Sequence, residues 1–183
     1  ENIIYLNSVK EDKKSLYIYL ENTPIAYMSD LYARFSFDQG SKIENSSLKQ
    51  GVSSDDIDAI KAVTKLKEDY DKEKKGTIYF KPFSDYPTDP LKFGAALAAD
   101  VNKLGIDIIV LDYLQRVKVF SPLRVDAMAY LNQIMSTIAQ VALGGFEADH
   151  PTVGVVLVQP NREAQAKAER TKGNSYNTFS IAE

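Results

Sequence analysis

Four apolar runs in this chain of 183 residues each lead into a polar residue able to do chemistry. Leu16-Tyr17-Ile18-Tyr19-Leu20 is followed by Glu21, and Thr77 to Phe80 by Lys81. Ile108-Ile109-Val110-Leu111 is followed by Asp112, and Val153 to Val158 by Gln159. If the runs are strands of an open parallel sheet, these four residues stand outside the carboxyl ends, where such sheets bind ligands. A carboxylate at a strand tip offers the oxygen ligand that a small hard cation such as Mg²⁺ prefers, and it does so without being buried unpaired. In phosphate-binding ATPases an acid in the position of Asp112 holds that ion, directly or through water. Glu21 is the only base at its strand tip. Two plainer readings stay open: any buried parallel strand leading into a loop can end in Asp, and Glu21 can serve as the acid that favours a helix N-terminus near Pro24.

The elements that must position these residues are legible as alternating patterns. The run Leu16–Leu20 reads as a buried strand, and so do Thr77–Phe80, Ile106–Leu111 and Val153–Val158. Between them lie helical stripes: Ile25, Met28, Leu31, Tyr32 and Phe35 after Pro24; Ile57, Ile60, Val63 and Leu66 after a cap at Ser53 or Ser54; Phe93, Leu97, Val101 and Leu104; and Met128, Leu131, Ile134, Met135, Ile138 and Val141, stopped by Gly144-Gly145. All these stripes are expected to be core. Lys81–Pro90, with three prolines, reads as a loop, and Lys65–Lys75 as a solvated helix end. Strands separated by helical crossovers predict an α/β fold, a mainly parallel sheet flanked by helices on both faces.

Composition narrows the chemistry. With no cysteine there are no disulfides and no thiolate metal sites, and a cytoplasmic home fits. His150, between Asp149 and Pro151, is the only histidine, and it reads as a loop residue rather than a metal ligand or triad member. No apolar run approaches the ~20 residues of a membrane helix. The net charge of −3 argues against a surface coated with basic residues for nucleic acid, but local basic loops remain compatible with it.

The continuation of the third run is more specific. Asp112-Tyr113-Leu114-Gln115 after an aliphatic run resembles the strand-tip signature of DnaB-type replicative helicases. Tyr17-Ile18-Tyr19-Leu20-Glu21 resembles that family's strand ending in a catalytic Glu. Gln159-Pro160-Asn161-Arg162 is similar to its strand ending in Gln followed by an Arg. The layout from Thr77 to Gln115 is similar as well, so the resemblance covers nearly the whole chain. It implies a RecA-like ATPase domain that uses ATP and Mg²⁺. Glu21 would act on the attacking water, Asp112 on the metal, and Gln159, able to donate and accept, as a sensor of the γ-phosphate, with Arg162 supporting the nucleotide site. It also implies a hexameric homo-oligomeric ring on single-stranded DNA, with primase and a helicase loader as further partners.

Two segments that follow strand tips carry the expected DNA contacts. Tyr113–Val125 holds Arg116, Lys118 and Arg124 and no acid. Arg162–Lys172 holds Lys167, Arg170 and Lys172 beyond Arg162. In the resembled family the matching loops face the central channel and bind backbone phosphates without reading sequence. One part of the family pattern is missing: no G-x-x-x-x-G-K-[ST] loop occurs in residues 1–183. The expectation is therefore a single partial RecA-like domain, incomplete at both ends. The phosphate loop would lie upstream and the arginine finger downstream, and residues 1–183 alone would be inactive. A RecA-type recombinase or clock-type ATPase would share the strand-tip acids but lack Asp-Tyr-Leu-Gln. A non-catalytic RecA-like adaptor or loader is the remaining rival.

Overall fold

The computed structural model describes residues 2–21, 23–41, 43, 45–51, 53 and 55–158. Among these, four strands form one sheet: β1 (Lys14–Tyr19), β2 (Thr77–Pro82), β3 (Ile108–Asp112) and β4 (Val153–Val156). Their order is β2-β1-β3-β4, and every neighbouring pair is parallel. Helices α1 (Asn2–Tyr5), α2 (Pro24–Asp38), α3 (Asn45–Gln50), α4 (Ile57–Glu73), α5 (Pro90–Leu104), α6 (Leu114–Val117) and α7 (Ala127–Ala142) complete the described elements, apart from a π-helical turn at Leu6–Lys10 and two short 3-10 turns. This is the α/β architecture expected of a RecA-like domain.

The period of two along each strand sends alternate side chains to opposite faces. Leu16 and Ile18 of β1 and Ile109 and Leu111 of β3 join Phe93, Leu97 and Val101 of α5 and Ile134, Ile138 and Val141 of α7 in one buried cluster. Tyr17, Ile108 and Val110 join Tyr27, Leu31 and Phe35 of α2, Leu66 and Tyr70 of α4, and Ile4 and Tyr5 of α1 in a second. Burial on both faces explains why β1 and β3 read as continuous apolar runs rather than alternating ones.

The helices start where local chemistry dictates. The Thr23 hydroxyl accepts from the Ala26 amide at 3.3 Å, with Pro24 in the first turn of α2. Asp89 does the same for Lys92 at 2.9 Å ahead of Pro90 in α5. Asp126 accepts from Met128 and Ala129 at 2.8 and 3.0 Å to start α7. For α4 the cap is Asp56, which accepts from Ala59 at 3.0 Å, so the expected Ser53 does not cap it; Ser54 lies outside the described residues.

The strand limits differ from the sequence expectation by one or two residues. The third strand starts at Ile108, not Ile106, because the Ile106 amide is spent on the Val101 carbonyl as α5 closes through Gly105 in the left-handed region at φ 65°. The second strand runs on to Pro82 instead of giving way to a loop at Lys81, since Lys81 and Pro82 pair with Ile18 and Tyr19. The helical stripes are core only in part: Ile25, Ile57, Ile60, Met128 and Met135 are exposed. Leu31, Leu66 and Ile134 of the same stripes are buried, and Met135 is exposed in the middle of α7. No helix among the described residues is long and apolar enough to cross a membrane.

Candidate active site

The chain leaves β1 through α2–α4 on one face to reach β2, returns through α5 on the other face to β3, and passes through α7 on that same face to β4. Adjacent strands β1 and β3 therefore send their connections in opposite directions. That is a topological switch point, and the crevice outside the carboxyl ends of such strands is where open α/β sheets hold ligands. Glu21 and Asp112 are the acids at this place. Tyr19 is level with Asp112 in the ladder, and the Leu20 amide donates to the Asp112 carbonyl at 3.2 Å.

Asp112 is partly buried, and the hydroxyl of Tyr17 donates to its Oδ2. Tyr17 is a buried β1 residue whose ring packs on Tyr27 at 4.2 Å between centroids. Asp112 and Tyr17 belong to the same face of the sheet, which is how the hydroxyl reaches the carboxylate from two rungs down the ladder. The Asp112–Tyr113 peptide is cis. No three His, Asp or Glu side chains converge among the described residues. Asp112 therefore offers a single carboxylate, the kind of oxygen donor that a hard cation takes.

Glu21 is gripped on both oxygens. Tyr113 donates from its hydroxyl to Oε2 at 2.7 Å, Arg116 donates from Nε to Oε2 at 3.0 Å, and Nη2 of Arg116 donates to Oε1. Arg116 also donates from Nε to the Tyr113 hydroxyl at 3.1 Å. The Arg116 hydrogen bonds, and then that of Tyr113, hold the Glu21 carboxyl below the usual range. The same pair raises the Arg116 guanidinium further. Both side chains remain open to solvent, with relative exposures of 45% for Glu21 and 46% for Arg116. Arg116 itself is carried on α6, whose Leu114 and Val117 are buried and fix the helix to the core.

Of the residues singled out in the sequence, Glu21, Asp112 and Arg116 come together at adjacent strand tips. Helix α2 is capped by Thr23, which displaces the capping reading of Glu21. Lys81 is committed elsewhere: its Nζ lies 2.6 Å from Asp100 of α5 and over the ring of Tyr86. Lys118 and Arg124 are exposed and form no ion pair among the described residues. His150 bonds through Nε2 to the Ile106 carbonyl at 2.9 Å, as a loop residue does. The path after β4 stays beside β3, since the Leu157 amide donates to Leu111 and the Leu157 carbonyl accepts from Leu114. Gln159, Arg162, Lys167, Arg170 and Lys172 lie outside the described residues.

Sequence reasoning missed the two tyrosines. The Tyr17 contact depends on β1 pairing with β3, which the sequence does not reveal. No signal was available for the Arg116 contact, since a cation in a basic loop pairs with phosphate or carboxylate equally well. No protein-family model matches the chain, and no curated protein matches it.

Proposed function

We propose that this chain is the motor domain of a DnaB-type replicative helicase, coupling ATP hydrolysis to movement along single-stranded DNA. The observation that carries the reading is two carboxylates, Glu21 and Asp112, at the carboxyl tips of adjacent parallel strands at the switch point. Support comes from Asp112-Tyr113-Leu114-Gln115, which occupies that tip and leads into a stretch with three basic residues and no acid. Asp112 would hold Mg²⁺ or its water shell, and the ion would neutralise charge on the transferring phosphoryl group. Glu21 would orient and partly deprotonate the attacking water. Gln159 would sense the γ-phosphate beside Arg162, with Arg116, Lys118 and Arg124 and then Lys167, Arg170 and Lys172 on the DNA backbone. Phosphate-loop amides and a lysine would come from outside residues 1–183, and the ring is a homo-hexamer on this reading.

The test is Glu21→Gln in the full-length protein, scored by DNA-stimulated ATP turnover and by unwinding of a forked duplex. A positioned base contributes about 10²–10⁴-fold, so turnover should fall by that much while ATP binding persists. Thr23→Ala is the contrast: it removes the observed cap, costing about 1 kcal/mol of stability and little turnover. Wild-type turnover in Glu21→Gln would reject the reading.

A further inference from the structure

Both oxygens of Glu21 are occupied, and the main occupant is Arg116, a residue of the stretch proposed to meet DNA. A carboxylate held by a guanidinium fork and a phenol hydroxyl is a weaker base than a free one, and three hydrogen bonds already draw on its lone pairs. The grip is also easy to release. The pair is nearly half exposed on both sides, where ion pairs are weak and are screened by salt. The partner best suited to compete for a guanidinium is a phosphate diester oxygen pair, which offers the same two-point geometry as a carboxylate. The helix under Arg116 need not move for this exchange. Leu114 and Val117 keep α6 seated while the exposed side chain changes partner. Lys118 and Arg124, exposed and without an ion pair among the described residues, stand on the same stretch to draw the strand in.

We infer that Arg116 is a latch on Glu21: it holds the carboxylate idle in the absence of nucleic acid and releases it when a backbone phosphate of single-stranded DNA takes the guanidinium. The inference rests on the reading of Glu21 as the hydrolytic base. Arg116 acts through Glu21, so it is a positioning residue, not a catalytic one. Tyr113 is the second half of the latch and remains on Glu21 when Arg116 departs, keeping the carboxylate at the site.

The experiment measures ATP turnover of the full-length protein with and without oligo(dT), in wild type, Glu21→Gln, Arg116→Ala and Arg116→Gln, with melting temperatures as a check on folding. Because exposed ion pairs are weak, release should raise turnover without DNA by about two- to fivefold in both Arg116 variants. Their stimulation by oligo(dT) should shrink by the same factor. Unchanged or lowered turnover without DNA in the Arg116 variants would overturn the latch, and if Glu21→Gln is still inactive the base assignment survives that failure. Full turnover in Glu21→Gln would instead overturn the base assignment, and the latch with it. Two different Arg116 replacements keep the test decisive should one of them fold poorly.

Discussion

Each of the two carboxylates at the strand tips is met by a tyrosine hydroxyl, Tyr17 for Asp112 and Tyr113 for Glu21. The two tyrosines differ in setting. Tyr17 is buried among aromatic rings, with Phe80 at 5.8 Å and Tyr27 at 4.2 Å, so its hydroxyl is aimed by packing. Hydrogen bonds to a charged group are worth about 1.5–3 kcal/mol, enough to bias which way the Asp112 carboxylate faces. Tyr17→Phe keeps the ring and removes only the hydroxyl. In the full-length protein it should raise the Mg²⁺ concentration needed for half-maximal turnover by about tenfold, one such bond's worth, while the melting temperature changes little. A Mg²⁺ titration that superimposes on wild type would show that Asp112 does not depend on this contact. The residue types at the tips were legible in the sequence; their partners were not, because a hydroxyl or guanidinium takes whichever acceptor the fold brings within about 3 Å.

Among the elements, β1 and β2 meet backbone to backbone at Gly76. A Cβ on Gly76 would lie 2.0 Å from the carbonyl oxygen of Lys13, closer than any side chain can approach. Here the Gly76 amide donates to Ser8 at 2.9 Å and the Thr77 amide to Lys13 at 3.1 Å, so backbone meets backbone with no room between. Gly76→Ala must part β2 from the start of β1. The expected cost is about 1–3 kcal/mol, the usual range for overpacking, seen as a lower urea midpoint. An unchanged midpoint would mean that this junction gives way freely. In the sequence Gly76 is visible only as a break after a charged helix end; the close approach belongs to the pairing of two strands more than sixty positions apart. The edge of β3 shows the same limit. Its apolar run is plain, but its first residue is decided by how α5 spends the Ile106 amide.

For the whole molecule, a net charge of −3 confines attraction for a polyanion to particular surfaces. On the proposed reading the stretch after β3 is one, since Arg116, Lys118 and Arg124 are exposed there. In the full-length protein, Arg116→Ala, Lys118→Ala and Arg170→Ala together should weaken single-strand binding to all sequences alike. Each lost phosphate contact should lower the salt slope by about 0.7. Unchanged affinity and slope in the triple variant would remove these residues from the DNA path. This effect on binding is distinct from the rise in unstimulated turnover expected of Arg116 alone.

By itself the sequence determined what local solvation dictates: which runs are strands, that both faces of the sheet are covered, and that an acid stands at the tips of the first and third runs. Those properties follow from hydrophobic period and turn chemistry within a few residues. It did not separate buried from exposed members of a helical stripe, as Ile25, Met128 and Met135 show, because period says which face a residue shares and not how much of that face its neighbours cover. Tertiary structure decided that β1 lies between β2 and β3, so that Glu21 and Asp112 flank one switch point. It also decided that Arg116 closes on Glu21 across 95 positions. Both are products of non-local packing: strand order is set by how the crossovers seat two cores on two faces, and a charge finds its partner only after that order has brought the two tips side by side.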